Sequence, residues 1–199
     1  LASGGVHIGG TDFDKSLSLA SVMPMLGLGS LLKTGRQMPS APFFNLATWH
    51  TINQTYSRKA VAEINDLHRE ASDKPKLERL QNLVRERAGH WLAMQVEAAK
   101  IDLSNAPETQ IDLARIAPGE SVTLQRSQLD QAIDGQVASV EQTVALLLKD
   151  AGVTVSAVDT VFFTGGSSGV PLLRQRVQAL VPQARCVEGD LFGSIGAGL

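Results

Sequence analysis

Cysteine occurs once in this chain, at Cys186, so no internal disulfide can form. That fits a reducing compartment rather than a stapled secreted domain, and Cys186 itself reads as a small buried hydrophobe. No apolar run approaches the roughly 20 residues that a membrane span needs. Leu19 to Leu32 comes closest, and Pro24, Gly27 and Gly29 interrupt it. Charge of one sign is also missing: a formal net charge of −2 gives no electrostatic reason to expect nucleic acid or an acidic membrane. The four histidines, His7, His50, His68 and His90, are scattered, with no pair or Cys partner at metal-ligand spacing. No Ser/His/Asp grouping resembles a nucleophilic triad, and Ser167 lacks the nucleophile-elbow pattern. Leu1 opens a glycine-rich stretch without the charged start of a signal peptide. The expectation is a cytoplasmic protein of which this chain, beginning without methionine, is a piece.

What is present suits a globular fold. The chain has 199 residues, 43% hydrophobic and 19% charged, enough for a sizeable core. A helix is expected over about Asp12 to Met25. Leu26 to Tyr56 then turns to Gly, Pro, Ser, Thr and aromatics without sustained period, the mark of a long irregular excursion. Its aromatics Phe43, Phe44 and Trp49 either pin the segment to its own domain or meet a partner. Arg58 to Ala71 is helical in pattern. Apolar residues then recur at Leu77, Leu80, Val84, Ala88, Trp91, Met94, Ala98 and Ile101, one stripe over about seven turns of a single long helix. Gln110 to Ile116 and Ser121 to Arg126 alternate like strands about the turn pair Pro118-Gly119. A helix from Ser127 buries Ile133, Val137, Val140, Val144 and Leu147 and stops at Gly152. Val158 to Thr164 reads as a buried strand, followed by a helix from Pro171 to Leu180, a strand near Arg185 to Val187 and a last helix from Asp190. This alternation suggests an α/β layer.

Three constellations carry possible chemistry. Phe163-Thr164-Gly165-Gly166-Ser167-Ser168-Gly169-Val170-Pro171 ends a strand in glycines and hydroxyls and leads into a helix start. Without Cβ atoms, a flat ligand or a phosphate can approach such a backbone, and the helix start offers N–H groups. Gly9-Gly10-Thr11-Asp12-Phe13-Asp14 puts two glycines before another helix; it is either a phosphate-facing turn or a turn with first-turn acids favoured by the dipole. Glu97, Lys100, Ile101 and Ser104 fall within an arc of roughly 100° at a helix end. An acceptor, a donor and a hydroxyl there suit a ribose or purine edge; a surface Glu–Lys pair is the plainer reading. Asp190, before the small residues Gly193, Gly196, Ala197 and Gly198, reads as an N-cap.

Taken in order, these segments resemble the second lobe of the ATPase domain of DnaK-type (heat shock protein 70 family) chaperones. His7-Ile8-Gly9-Gly10-Thr11-Asp12-Phe13-Asp14 is similar to that family's His-Leu-Gly-Gly-Glu-Asp-Phe-Asp run. Glu97-Ala98-Ala99-Lys100-Ile101-Asp102-Leu103-Ser104 resembles Glu-Arg-Ala-Lys-Arg-Thr-Leu-Ser, and the Gly165–Pro171 segment resembles the Val-Gly-Gly-Ser-Thr-Arg-Ile-Pro adenosine motif. Asp190 to Gly198 resembles the last helix. The nearest likeness is to the divergent bacterial YegD-like branch.

The resemblance implies an α/β, actin-like ATPase (ribonuclease H-like) fold, here a partial lobe II with a helical-plus-hairpin subdomain. Residues 1–8 and 127–199 would form the α/β base, and 9–126 the smaller subdomain with the excursion 26–56. It implies ATP or ADP with magnesium, held largely by parts of the protein outside this chain. Gly9 and Gly10 would lie near phosphates; Glu97, Lys100 and Ser104 would meet ribose and adenine; Gly165, Gly166 and Ser167 would wrap the nucleotide; Asp190 would support the adenosine pocket. Where the family has two adenine-stacking arginines, this chain has Ile101 and Gly169, a loss of about 0.5–2 kcal/mol each. No residue here is a catalytic candidate, so the expectation is a nucleotide-binding lobe that does not hydrolyse ATP alone. In the whole protein it would serve a stress-response chaperone with an unfolded client or co-chaperone as partner. A degenerate interaction scaffold and the lobe of a small-molecule kinase of the same superfamily remain alternatives.

Overall fold

The computed structural model describes residues 2–189; the helix expected from Asp190 onward lies outside them. Contacts divide the chain into two compact units, one running Thr11–Ala132 and the other joining the residues up to Gly10 to those from Ile133 onward.

In the Thr11–Ala132 unit, α1 (Gly10–Leu17) passes into a π-helical turn (Ser18–Val22) and a 3-10 turn (Met23–Leu26). The helix expected to Met25 therefore changes pitch twice, and Pro24, which offers no N–H, sits in the tight final turn. Leu17, Ser18, Val22, Met23 and Leu26 are all buried along this path. Gly27 closes it at φ +116°, where a Cβ would come within 2.7 Å of Leu77 Cδ2.

The excursion is more ordered than its composition suggests. It holds α2 (Ala41–Ala47) and a 3-10 helix (Trp49–Tyr56). Met38, Phe43, Leu46 and Ile52 are buried and pin it down. Its aromatics divide: Phe43 is fully buried, whereas Phe44 and Trp49 are about half exposed. An apolar anchor every few residues replaces the regular period that a longer helix would have displayed.

α3 (Arg58–Glu70) starts at Ser57, whose Oγ accepts from Ala60 N at 3.2 Å. The single long helix expected next is two, α4 (Lys74–Arg85) and α5 (Gly89–Asn105). Arg87 lies in the left-handed region at φ +47°, and Ala88 N donates to Leu83 O at 2.9 Å, ending α4. The break resets the helical phase. Leu77, Leu80, Val84 and Ala88 are buried as expected, but α5 buries Leu92, Val96, Ala99 and Leu103, leaving Met94, Ala98 and Ile101 exposed.

After α5 comes an antiparallel hairpin, β1 (Glu108–Asp112) and β2 (Ser121–Gln125), pairing Thr109 with Leu124 and Ile111 with Val122. The first strand thus ends sooner than the expected Ile116. Arg126 then donates to Leu103 O at 2.7 Å and Ala106 O at 3.0 Å, satisfying carbonyls that the end of α5 would leave unpaired.

α6 (Arg126–Asp150) begins in this unit and continues into the other. Ile133 and Val137 are fully buried, while Val140, Val144 and Leu147 are only half-buried. Gly152 ends it at φ +63°, as its position in the sequence predicts. The second unit pairs β3 (Thr160–Phe163) with β4 (Arg185–Glu188) in parallel, with α7 (Pro171–Leu180) between them. The strand expected to be buried is so on one side only: Phe163 is buried and Phe162 is 68% exposed. Side chains alternate across a strand, and β3 pairs with β4 alone among the described residues, so one face stays open. Cys186, paired with Val161 in the same two-stranded sheet, is exposed rather than buried.

Gly89 supplies a test of this packing. Tyr56 Oη accepts from its N–H at 2.9 Å, and a Cβ there would lie 2.6 Å from both Ile52 Cγ2 and Tyr56 Oη. Gly89→Ala should destabilise the protein by about 1–3 kcal/mol despite alanine's better helix propensity, because overpacking a closed contact outweighs that gain. Denaturant unfolding would measure it; an unchanged midpoint would contradict the close approach.

Candidate functional site

Apart from Asp190, the residues singled out in the sequence fall at two places. The first is the junction of α1 and α5. Three- and four-residue steps put Glu97, Lys100, Ile101 and Ser104 on neighbouring positions of α5. Their side chains then diverge. Glu97 and Ile101 are exposed, Ile101 by 49%. Ser104 Oγ donates to Lys100 O at 3.2 Å, turning back on its own helix. Lys100 is buried, and its Nζ pairs with Asp14 Oδ1 of α1 at 2.7 Å. The acid, amine and hydroxyl are thus neighbours on one helix, with the amine engaged inward. Gly9 and Gly10 lie at the start of α1, Gly10 as its first residue.

Asp14, read in the sequence as a first-turn acid of this helix, is instead the partner of Lys100. The sequence held no usable signal for it, because the expected stripe put Ala98 and Ile101 inward; in the true phase of α5 Lys100 lies beside the buried Ala99 and Leu103 and must find an anion. Burial raises the Asp14 carboxyl above its ordinary value, and the nearby Glu97 charge adds to that, while the hydrogen bond and charge of Lys100 oppose it.

The second place is the turn from β3 to α7. Gly165 takes φ +82°, ψ 154°, a region essentially closed to other residues. Gly166–Gly169 form a 3-10 turn in which Ser168 N donates to Gly165 O at 3.0 Å and Val170 N to Ser167 O at 3.2 Å. Ser168 is buried, and its Oγ also donates to Gly165 O, at 2.6 Å. Ser168 therefore holds the turn together, while Ser167 is half-buried and Gly166 exposed. Among the described residues, a Cβ built on Gly165 or Gly169 meets nothing within 4 Å, so none of them closes off the backbone there. The turn lies at the carboxyl ends of β3 and β4, where parallel sheets bind ligands. Such a pre-folded backbone can accept a flat ligand or a phosphate. Among the described residues no group of three or more His, Cys, Asp or Glu side chains is placed to hold a metal ion. Asp190 lies outside the described residues.

Comparison with known proteins adds the following. The sequence profile of the Hsp70 protein family matches residues 65–197, more than half the chain, and takes in α5 and the Gly165–Gly169 turn. The chaperone protein DnaK of Psychrobacter cryohalolentis is 34% identical over 106 residues, 48% of this chain. That alignment covers only 16% of the relative's length, so the chain corresponds to a small part of such a protein.

Two measurements check the geometry. Because burial raises Asp14, the folded protein holds that proton more tightly than the unfolded chain. The contribution of Asp14 to stability is therefore greatest in acid and is lost as pH rises through its folded titration. Lys100→Met should push Asp14 further up and destabilise by about 3 kcal/mol near neutral pH, less in mild acid where Asp14 is protonated; denaturant unfolding at both pH values reads this. Gly165→Ala should cost about 1–3 kcal/mol through backbone strain alone. Gly169→Ala, whose backbone needs no left-handed conformation, should be close to neutral in the same assay.

Proposed function

The chain belongs to the Hsp70 protein family, with its actin-like ATPase fold, and from that premise we propose that it is the second lobe of a DnaK-type nucleotide-binding domain. In this reading residues 1–8 with 127–199 are the base of the lobe and 9–126 the smaller subdomain. The bound molecule is ATP or ADP. The observation that carries the proposal is the Gly165–Gly169 turn, without Cβ atoms at Gly165, Gly166 and Gly169 and self-bonded at the carboxyl ends of a parallel strand pair. Gly165, Gly166 and Ser167 bring backbone and hydroxyl to the nucleotide, and Gly9 and Gly10 approach its phosphates. Glu97, Lys100 and Ser104 meet the ribose and base, with Asp190 supporting the adenosine end. Magnesium, in this proposal, is held by the phosphates and by groups outside this chain.

In the whole protein, closure around the nucleotide neutralises charge developing on the transferred phosphoryl group, and this lobe contributes binding and orientation rather than a catalytic group. Nucleotide state then biases a peptide client or co-chaperone partner of a cytoplasmic, stress-responsive chaperone. One observation favours a second reading, a non-hydrolysing scaffold: Lys100 is already engaged by Asp14, and Ile101 offers no cation to the base.

Calorimetry of the full-length protein with MgATP separates them. Binding supports the first reading, and its absence at millimolar nucleotide leaves the scaffold. Ile101 is about half exposed and Gly169 has open space beyond its Cα, so both accept a longer side chain. Ile101→Arg combined with Gly169→Arg should tighten nucleotide binding by about tenfold or more, as stacked guanidinium groups would. Unchanged affinity would count against adenine lying over these positions.

A further inference from the structure

Arg174 is a charged side chain that ties the β3–α7 turn to the strands beside it. It projects from the first turn of α7, and its side chain is only 27% exposed. Nε donates to Ser168 O at 2.5 Å, inside the turn. Nη1 pairs with Glu188 Oε1, on the last residue of β4. The guanidinium carbon lies 5.6 Å from the ring centroid of Phe163, the last residue of β3. One planar fork thus links the carboxyl ends of both parallel strands to the backbone between them. A lysine in its place would supply a point charge and could not satisfy these directions together.

The turn needs such a tie. Gly165 and Gly169 lower the barrier to many backbone conformations, and glycine loses more freedom on ordering than any other residue. Ser168 fixes the first half by bonding to Gly165 O, and Arg174 fixes the second by holding Ser168 O. Gly169 stands where the adenosine motif that this segment resembles has an arginine. Arg174, five residues further on, bonds to the backbone of the same turn.

We propose that Arg174 is a positioning residue, with Glu188 as its counter-ion, that pre-forms the Gly165–Gly169 turn for nucleotide binding. This rests on the nucleotide reading above for its ligand, though not for its effect on the turn. The test uses the full-length protein and two independent readouts. Amide exchange at Ser168 and Val170 reports the order of the turn without any nucleotide. In Arg174→Met these two amides should exchange about tenfold or more faster, while the paired amides of β3 and β4 change little. Calorimetry with MgADP should show affinity falling by about five- to twentyfold, since ordering the turn then draws on binding energy. Arg174→Lys should recover part of both effects, and Glu188→Gln should show a smaller loss of the same kind.

Equal acceleration at the turn and in both strands would make Arg174 a general structural residue and overturn the proposal. So would unaltered exchange at Ser168 and Val170. If the wild-type protein binds no nucleotide, the nucleotide reading fails and, with it, the ligand named here; the exchange arm still decides whether Arg174 orders the turn. Should Arg174→Met fail to fold, Arg174→Lys and Glu188→Gln carry the same comparison.

Discussion

A lysine ammonium among buried apolar side chains must find a negative partner, and here Asp14 of α1 meets Lys100 of α5 at 2.7 Å. Taking both charges from water costs about as much as their attraction returns, so the pair acts as a constraint on geometry more than as a source of stability. It ties the first helix of the Thr11–Ala132 unit to its longest one. Phe13 and Leu17 of α1 are buried beside that link. With Lys100 turned inward, α5 is fixed in rotation: Leu92, Val96, Ala99 and Leu103 enter the core, and Met94, Ala98 and Ile101 face out. Whatever the outward face of α5 contacts is therefore set by a charge pair on its inward face.

The β3–α7 turn is organised differently. No buried charge pair is needed, because the turn is satisfied by Ser168 and by the hydrogen bond from Arg174 to Ser168 O. Its openness comes from what is absent at Gly165 and Gly169, its order from the hydrogen bonds of the residues between and after them. Permissive glycines held by directional bonds give a backbone that can be both approachable and defined. This combination is the physical content behind the likeness to a nucleotide-binding motif.

Much of this was legible in the sequence, for local reasons. The glycine turn after an apolar strand, the Pro118-Gly119 hairpin, the Gly152 stop and the helical character of Arg58–Glu70 are short-range signals that the structure displays at or near the positions read. The long stripe through Ile101 failed where locality failed. A period of 3.6 keeps its phase only while the helix is unbroken, and three residues between α4 and α5 shift the phase without disturbing the apparent spacing. The excursion failed in the opposite sense: without a period to read, its buried anchors Met38, Phe43, Leu46 and Ile52 look like loop composition.

By itself, then, the sequence determined the helical character of segments such as Arg58–Glu70, where glycine turns the chain at Gly119 and Gly152, and that its single cysteine forms no internal disulfide. Those outcomes depend on neighbours a few residues apart. Tertiary structure alone decided that Lys100 faces Asp14, that Phe43 is buried while Trp49 is about half exposed, that Phe162 lies on an open sheet face, and that Arg174 grips Ser168 and Glu188. Each of these joins residues distant in the chain or depends on what covers them, and periodicity carries no record of either.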